Sequence, residues 1–171
     1  MLVQIDLDNI DVITLSQLKI ERKSFCSLSP ELNRYFYTQV SQDERKALSK
    51  CFILVHQKPA QIIGYYTLSA TAINVSDIPE IQIKQEIRYP NIPAALIGRL
   101  AIDERFIGRG YGKFLIADAI SKIKDSNLAV AALLVNAKDE QAMVFYRKLG
   151  FIAFLERQNT LFLPLTKLLK K

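Results

Sequence analysis

Three glycines in alternation, Gly108, Gly110 and Gly112, are interleaved with Arg109 and followed at once by Lys113. Glycines at this spacing leave main-chain N–H groups unscreened by side chains. The two cations beside them add full positive charge. The chemistry this suits is anion binding, and a diphosphate-bearing cofactor is the natural guest. Two common phosphate loops do not fit: the G-x-x-x-x-G-K-[ST] pattern is absent, and the spacing here is G-x-G-x-G rather than G-x-G-x-x-G. Asp125 also lies ahead of the next strand, not at its end, where a ribose-binding carboxylate would stand. The glycines are equally compatible with a tight strand-to-helix turn and nothing more.

A second group of residues runs from Asp139 to Phe151 and contains Tyr146. A phenol within hydrogen-bond reach of a departing group can give it a proton. The competing reading is an aromatic that packs the core.

Elements must position both groups. Ala94 to Ile102 is an apolar, β-branched run that predicts a strand leading into the glycines. After them Tyr111, Leu115, Ala119 and Ile123 recur at steps of four, one face of a helix. The first N–H groups of that helix lack intrahelical partners and lie at the positive end of its dipole. Asp139 predicts the N-cap of a later helix that Gly150 ends. In it Ala142, Phe145 and Leu149 make the expected inward stripe. Tyr146, turned about 100° from Phe145, is free to reach a cleft.

Elsewhere Leu2 to Ile13 alternates as a strand, and Ser29-Pro30 opens a helix with Leu32, Phe36, Val40 and Leu48 inward and Arg34, Arg45, Lys46 and Lys50 outward. Cys51 to Gln57 and Ile62 to Ile73 predict a hairpin, and Asp77 to Pro93 a connection with one short helix. Leu128 to Val135 is a continuous apolar strand, and Phe151 to Phe154 and Thr160 to Leu165 complete the set. The expected architecture is α/β (α+β). It is one domain over residues 1–171, with a single mixed, mostly antiparallel sheet flanked by helices on both faces.

Composition narrows the partners. Lys and Arg number 23 against 17 Asp and Glu, a net charge of +6 that suits phosphate-bearing ligands. Cys26 and Cys51 lack metal-ligand spacing and His56 is the one histidine, so no metal site is expected. His56 itself reads as a core or surface residue of the hairpin. The first eight residues carry Asp6 and Asp8 and no basic segment, and the longest uncharged stretch, Pro59 to Ser76, is dotted with polar residues. A cytoplasmic protein with no membrane span is expected.

The glycine stretch resembles the acyl-CoA-binding motif of the GCN5-related N-acetyltransferases (GNAT), Q/R-x-x-G-x-G/A. Gly110 and Gly112 match the small positions, while Ile107 stands where the family usually has Gln or Arg. The second group is similar to the family's A-x-x-[FL]-Y-x-x-x-G-F at Ala142, Phe145, Tyr146, Gly150 and Phe151, with Asp139 where many members have Asn. Upstream, Ile63 to Ser69, Tyr89 to Ala94, Gly98 to Asp103 and Phe25 to Phe36 resemble the acetyltransferase toxins of bacterial toxin–antitoxin pairs. The Asp-Cys-Gly usual at the start of their first helix is absent.

The resemblance implies a GNAT fold and acetyl-CoA as cofactor. It places Leu100, Ala101, Ile102, Ile107, Gly108, Arg109, Gly110, Tyr111, Gly112, Lys113 and Asp139 against that cofactor and makes Tyr146 the general acid. In the toxin family the substrate is aminoacyl-tRNA and the neutralising partner a ribbon-helix-helix antitoxin. A homodimer is compatible with it. Lys19, Lys23, Arg34 and Arg99 are the candidate tRNA phosphate contacts. No general base stands out, which favours an α-amino group, with a pKa of about 7.7–8.0, over a lysine side chain at about 10.4. Acetylation of a small-molecule amine or protein N-terminus, and a non-catalytic module binding CoA or nucleic acid, are the alternatives.

Overall fold

The chain runs β1 (Ile10–Thr14), α1 (Pro30–Thr38), α2 (Val40–Arg45), β2 (Lys50–His56), β3 (Gln61–Asn74), β4 (Asn91–Ile102), α3 (Tyr111–Asp125), β5 (Ala132–Asn136), α4 (Glu140–Lys148), β6 (Ile152–Ala153) and β7 (Thr160–Pro164) in the computed structural model. Residues 5–83 and 85–169 are described, so Leu2 to Gln4 of the expected first strand lie outside them. The strands form a mixed seven-stranded sheet in the order β1-β2-β3-β4-β5-β7-β6. Of the ladders with a described register, β4–β5 is parallel and β1–β2, β2–β3, β5–β7 and β6–β7 are antiparallel. The parallel pair is joined through α3, as a parallel connection requires. The four-residue stripe of α3 is realised, with Tyr111, Leu115, Ala119 and Ile123 all buried. No helix among the described residues is long and apolar enough to cross a membrane. Contacts divide the chain into two units, Met1–Leu68 with Arg99–Ala119 and Ser69–Gly98 with Ile120–Lys171.

The first unit is built on three aromatic rings. Phe36 stacks on Tyr65 with centroids 4.5 Å apart, and Phe25 meets both edge-on at 5.3 and 5.5 Å. Ser29 caps α1 by accepting the Leu32 N–H, with Pro30 in the first turn. The expected single helix breaks after Thr38, whose hydroxyl donates to the Arg34 carbonyl at 2.8 Å. Val40 is still buried as expected, but Leu48 is not: it is 61% exposed. The reason is the end of α2, where Ala47 adopts φ +56° and the Leu48 N–H reaches back to the Asp43 carbonyl at 2.9 Å. That left-handed cap turns the chain away from the core. Cys26 and Cys51 are free thiols.

Two contacts fix the end of β4. At Gly64 a Cβ would stand 2.7 Å from the Ala101 carbonyl oxygen and from the Ile102 side chain, so only glycine lets β3 approach there. Asp103, 1% exposed, accepts from the Cys26 N–H at 2.9 Å, from the Arg105 N–H at 3.0 Å and from the Arg105 guanidinium at 2.8 and 2.9 Å. The Glu104 N–H in turn donates to the Cys26 carbonyl. The segment before α1 and the segment after β4 are thereby held together.

In the second unit Ala94 to Ile97 pairs with Ala132 to Val135, and all four β5 residues are buried, as a strand covered on both faces demands. The strand starts later than expected. Leu128 is 73% exposed because it belongs to the turn closing α3, its N–H donating to Ser126 Oγ. The connection after β3 holds two single 3-10 turns, Val75–Asp77 and Glu80–Gln82, in place of one short helix. The core here gathers Ile73, Ile92, Ala132, Phe154 and Phe162.

Burial alone would raise the Asp103 carboxyl, but the bonds from Arg105 and the Cys26 N–H outweigh it and hold the carboxyl below its ordinary range. The stability it contributes is therefore present above the unfolded carboxylate value of about 3.9 and lost as pH falls through the lower folded value. In urea titrations at neutral pH, Asp103→Ala should cost about 2 kcal/mol, because it leaves the Cys26 and Arg105 N–H groups without their acceptor while the half-exposed Arg105 side chain turns to water. The gap to the wild type should narrow below about pH 4.

Candidate active site

The glycine loop belongs to the first unit. Gly108 and Gly110 adopt φ of +76° and +87°, conformations that a side chain would strain. A Cβ at Gly108 would meet nothing within 4 Å, so the space on that face of the loop is open. The Phe114 N–H donates to the Gly110 carbonyl at 3.1 Å, which makes Gly110 the residue from which α3 starts. The next amides, of Tyr111, Gly112 and Lys113, are the orphan donors of the helix. Arg109 and Lys113 are exposed beside them. A helix N-terminus, a side-chain-free turn at Gly108 and two exposed cations suit a phosphate pair.

The walls of the loop are aromatic. The Phe106 ring is buried, with the guanidinium carbons of Arg105 and Arg109 each 5.6 Å from its centre. Tyr111 is buried and its hydroxyl lies 3.5 Å from His56 Nε2. His56, expected only as a core or surface residue, thus borders the loop. Ile107 is 48% exposed and extended at φ −62°, ψ 146°, so its side chain is not part of the core. Of the strand before the loop, Ala101 is buried and Leu100 and Ile102 are half-buried. The β4–β5 register ends at Ile97 with Val135, while β4 itself continues to Ile102.

Tyr146 belongs to the second unit. Asp139 caps α4 as expected, its Oδ1 accepting the Ala142 N–H at 2.8 Å, so one carboxylate oxygen already has structural work. The inward stripe differs from the expected one. Met143 and Tyr146 are the buried residues, while Ala142, Phe145 and Leu149 are half-buried. The Tyr146 ring is 5.2 Å from Phe145 and 5.4 Å from Phe151, centre to centre. Every fully buried side-chain oxygen and nitrogen among the described residues has a partner, and no described residue bonds the Tyr146 hydroxyl. Its oxygen must therefore reach solvent while the ring stays packed. Burial pushes the Tyr146 phenol up to about 12, so it carries its proton at neutral pH.

The expected tRNA-contacting cations differ in character. Lys19, Lys23 and Arg34 are exposed. Arg99 is half-buried, with its guanidinium carbon 3.6 Å above the centre of the Tyr35 ring. Asp103 and Tyr35 went unnoticed in the sequence. Asp103 acts on Cys26, 77 residues away, and no local spacing signals such a contact. No cluster of metal-ligating side chains occurs among the described residues.

Residues 48–153 match the family model of the acetyltransferase (GNAT) domain. A tRNA-acetylating toxin of Mycobacterium tuberculosis is 28% identical over 130 residues, which cover 75% of this chain and 76% of that protein. AtaT complexed with acetyl-methionyl-tRNAfMet superposes with a TM-score of 0.82 at 30% identity, over 91% of this chain and 95% of that one. AtaTR bound with acetyl-CoA superposes at 0.78 with 31% identity, over 92% and 95%. The chain belongs to the GNAT acetyltransferase family, in the branch that includes these toxins.

Proposed function

We propose that this acetyltransferase uses acetyl-CoA to acetylate the α-amino group of aminoacyl-tRNA and so removes charged tRNA from translation. The likeness to AtaT, solved with acetyl-methionyl-tRNAfMet, carries this reading. A Tyr-to-Phe mutant of AtaT has also been solved with acetyl-CoA and the C-terminus of the antitoxin AtaR, which supports a cognate antitoxin here. The ribbon-helix-helix type follows from the family resemblance alone. Residues 1–171 would act as one catalytic domain in the cytoplasm.

Acetyl-CoA supplies an acetyl group activated as a thioester. The amides of Gly108 to Lys113, with the Arg109 and Lys113 side chains, hold its pyrophosphate. The open face at Gly108 and the α3 N-terminus suit that anion. Ile107 offers no side-chain donor, so main-chain amides carry the binding. Asp139, as the cap of α4, fixes the start of the helix that bears Tyr146. Leu100, Ala101 and Ile102 lie past the last β5-paired residue of β4. Strand amides alternate, and since the Asp103 N–H donates to Ile63 of β3, those of Leu100 and Ile102 face the other edge, with Ala101 holding β4 against β3. There they would donate to the thioester carbonyl and stabilise negative charge as it develops. The Tyr146 hydroxyl donates its proton to the departing sulfur. A tyrosine held near 12 is fully protonated when needed, and its packed ring limits where the proton can go. The amine arrives neutral enough to attack without a base, since an α-amino group titrates at about 7.7–8.0.

The direct test incubates the protein with charged tRNA and acetyl-labelled acetyl-CoA. Label recovered on the amino acid's nitrogen after ester hydrolysis is expected. Label found on small amines and on no charged tRNA would overturn the reading. Tyr146→Phe should lower turnover by roughly 10²-fold with acetyl-CoA affinity unchanged, measured by steady-state kinetics and calorimetry. In the wild type kcat/KM should rise with pH as the amine loses its proton. No descending limb should follow up to pH 10, because the acid form of Tyr146 is lost only near 12.

A further inference from the structure

Arg99 differs from Arg22 and Arg105 of its unit, which are engaged by polar partners, and it sits closer to a ring than Arg109 does. Arg22 donates to the Phe36 carbonyl and to Ser41, and Arg105 is clamped on Asp103. Arg99 sits over Tyr35 with its guanidinium carbon 3.6 Å from the ring centre, and among the described residues no hydrogen bond or ion pair engages it. A guanidinium on a ring face keeps its N–H groups in plane at the rim, aimed away from the ring. Tyr35 is itself fixed: it is 3% exposed and its hydroxyl donates to Asp43 at 2.9 Å. No fully buried side-chain nitrogen among the described residues lacks a partner, so the Arg99 donors reach solvent, held in one orientation and open to an anion.

We propose that Arg99 is the receptor for one phosphodiester of the substrate RNA at its 3′ end, with Tyr35 and Asp43 as the residues that position it. The proposal rests on aminoacyl-tRNA being the substrate. Arg99 stands three residues before Ile102 on β4, about 10 Å along an extended strand. An anion captured there lies within a nucleotide or two of the acetyl-transfer amides of Leu100 and Ile102. That distance selects the last phosphates of the unpaired end over those of the acceptor stem. Exposed, unstacked Lys19, Lys23 and Arg34 suit long-range steering instead. The fork of an arginine grips a phosphate with two parallel bonds and lysine cannot, so the site reads geometry as well as charge.

The experiment is steady-state kinetics of Arg99→Lys, in which charge is kept and the fork and stacking are lost. KM for aminoacyl-tRNA should rise about tenfold, with kcat and the KM for acetyl-CoA unchanged. In Arg99→Ala the slope of log KM against log salt should fall by about 0.7, the value for one single-strand phosphate contact. Asp43→Asn leaves the guanidinium in place and loosens its support, and should raise the same KM by a smaller factor. An unchanged KM for aminoacyl-tRNA in Arg99→Lys overturns the proposal alone. So does a rise confined to acetyl-CoA, because the anion is then a phosphate of the cofactor. A wild type that acetylates no charged tRNA overturns the functional reading and this proposal together.

Discussion

One buried carboxylate sets the geometry from which the anion loop departs. Asp103 sits where β4 ends; one of its four acceptor contacts, from the Cys26 N–H, ties that end to the backbone before α1, and the other three come from Arg105 beside it. Burying a carboxylate is unfavourable unless donors surround it, and once surrounded it tolerates little movement. The four residues from Glu104 to Ile107 then lead to Gly108 from a fixed origin. Gly64 plays the steric counterpart, letting β3 close on Ala101 and Ile102 where any side chain would push it away. The loop is thus held firmly at its root, while beyond it Gly108 has open space on its side-chain face.

The division of labour between rings and cations follows the same logic. Phe106 and Tyr111 pack inward and leave Arg109 and Lys113 outward. Tyr35 packs inward and carries Arg99 on its face. Tyr146 buries its ring against Phe145 and Phe151 and keeps only its oxygen wet. In each case an apolar body fixes the place of a polar group, at little further entropic cost. Burial keeps the Tyr146 phenol protonated throughout the neutral range, which suits the proposed role of a proton donor to an amine that needs no base.

Much of this was legible in the sequence where the cause is local. The step of four from Tyr111 to Ile123 names the buried face of α3, and the caps Ser29 and Asp139 mark their helices through contacts only three residues long. The glycine loop is legible because φ above zero is a property of single residues. What escaped depends on tertiary context. Leu48 fits a helical stripe until the left-handed Ala47 ends α2 beneath it, and Leu128 fits an apolar run until the Ser126 turn takes it. Phe145 and Tyr146 are adjacent on a helix, and which of them is buried is decided by Phe151, supplied from beyond the helix end. Arg99 looks like any surface arginine until Tyr35, 64 positions earlier, is found beneath it.

The central claim is that the protein silences charged tRNA by acetyl transfer, and a cell-free translation reaction tests it most directly. Purified protein should stop synthesis only when acetyl-CoA is present. After the enzyme is removed, fresh aminoacyl-tRNA should restore it. Translation that proceeds unchanged at high protein and saturating acetyl-CoA would contradict the account, as would inhibition that needs no acetyl-CoA.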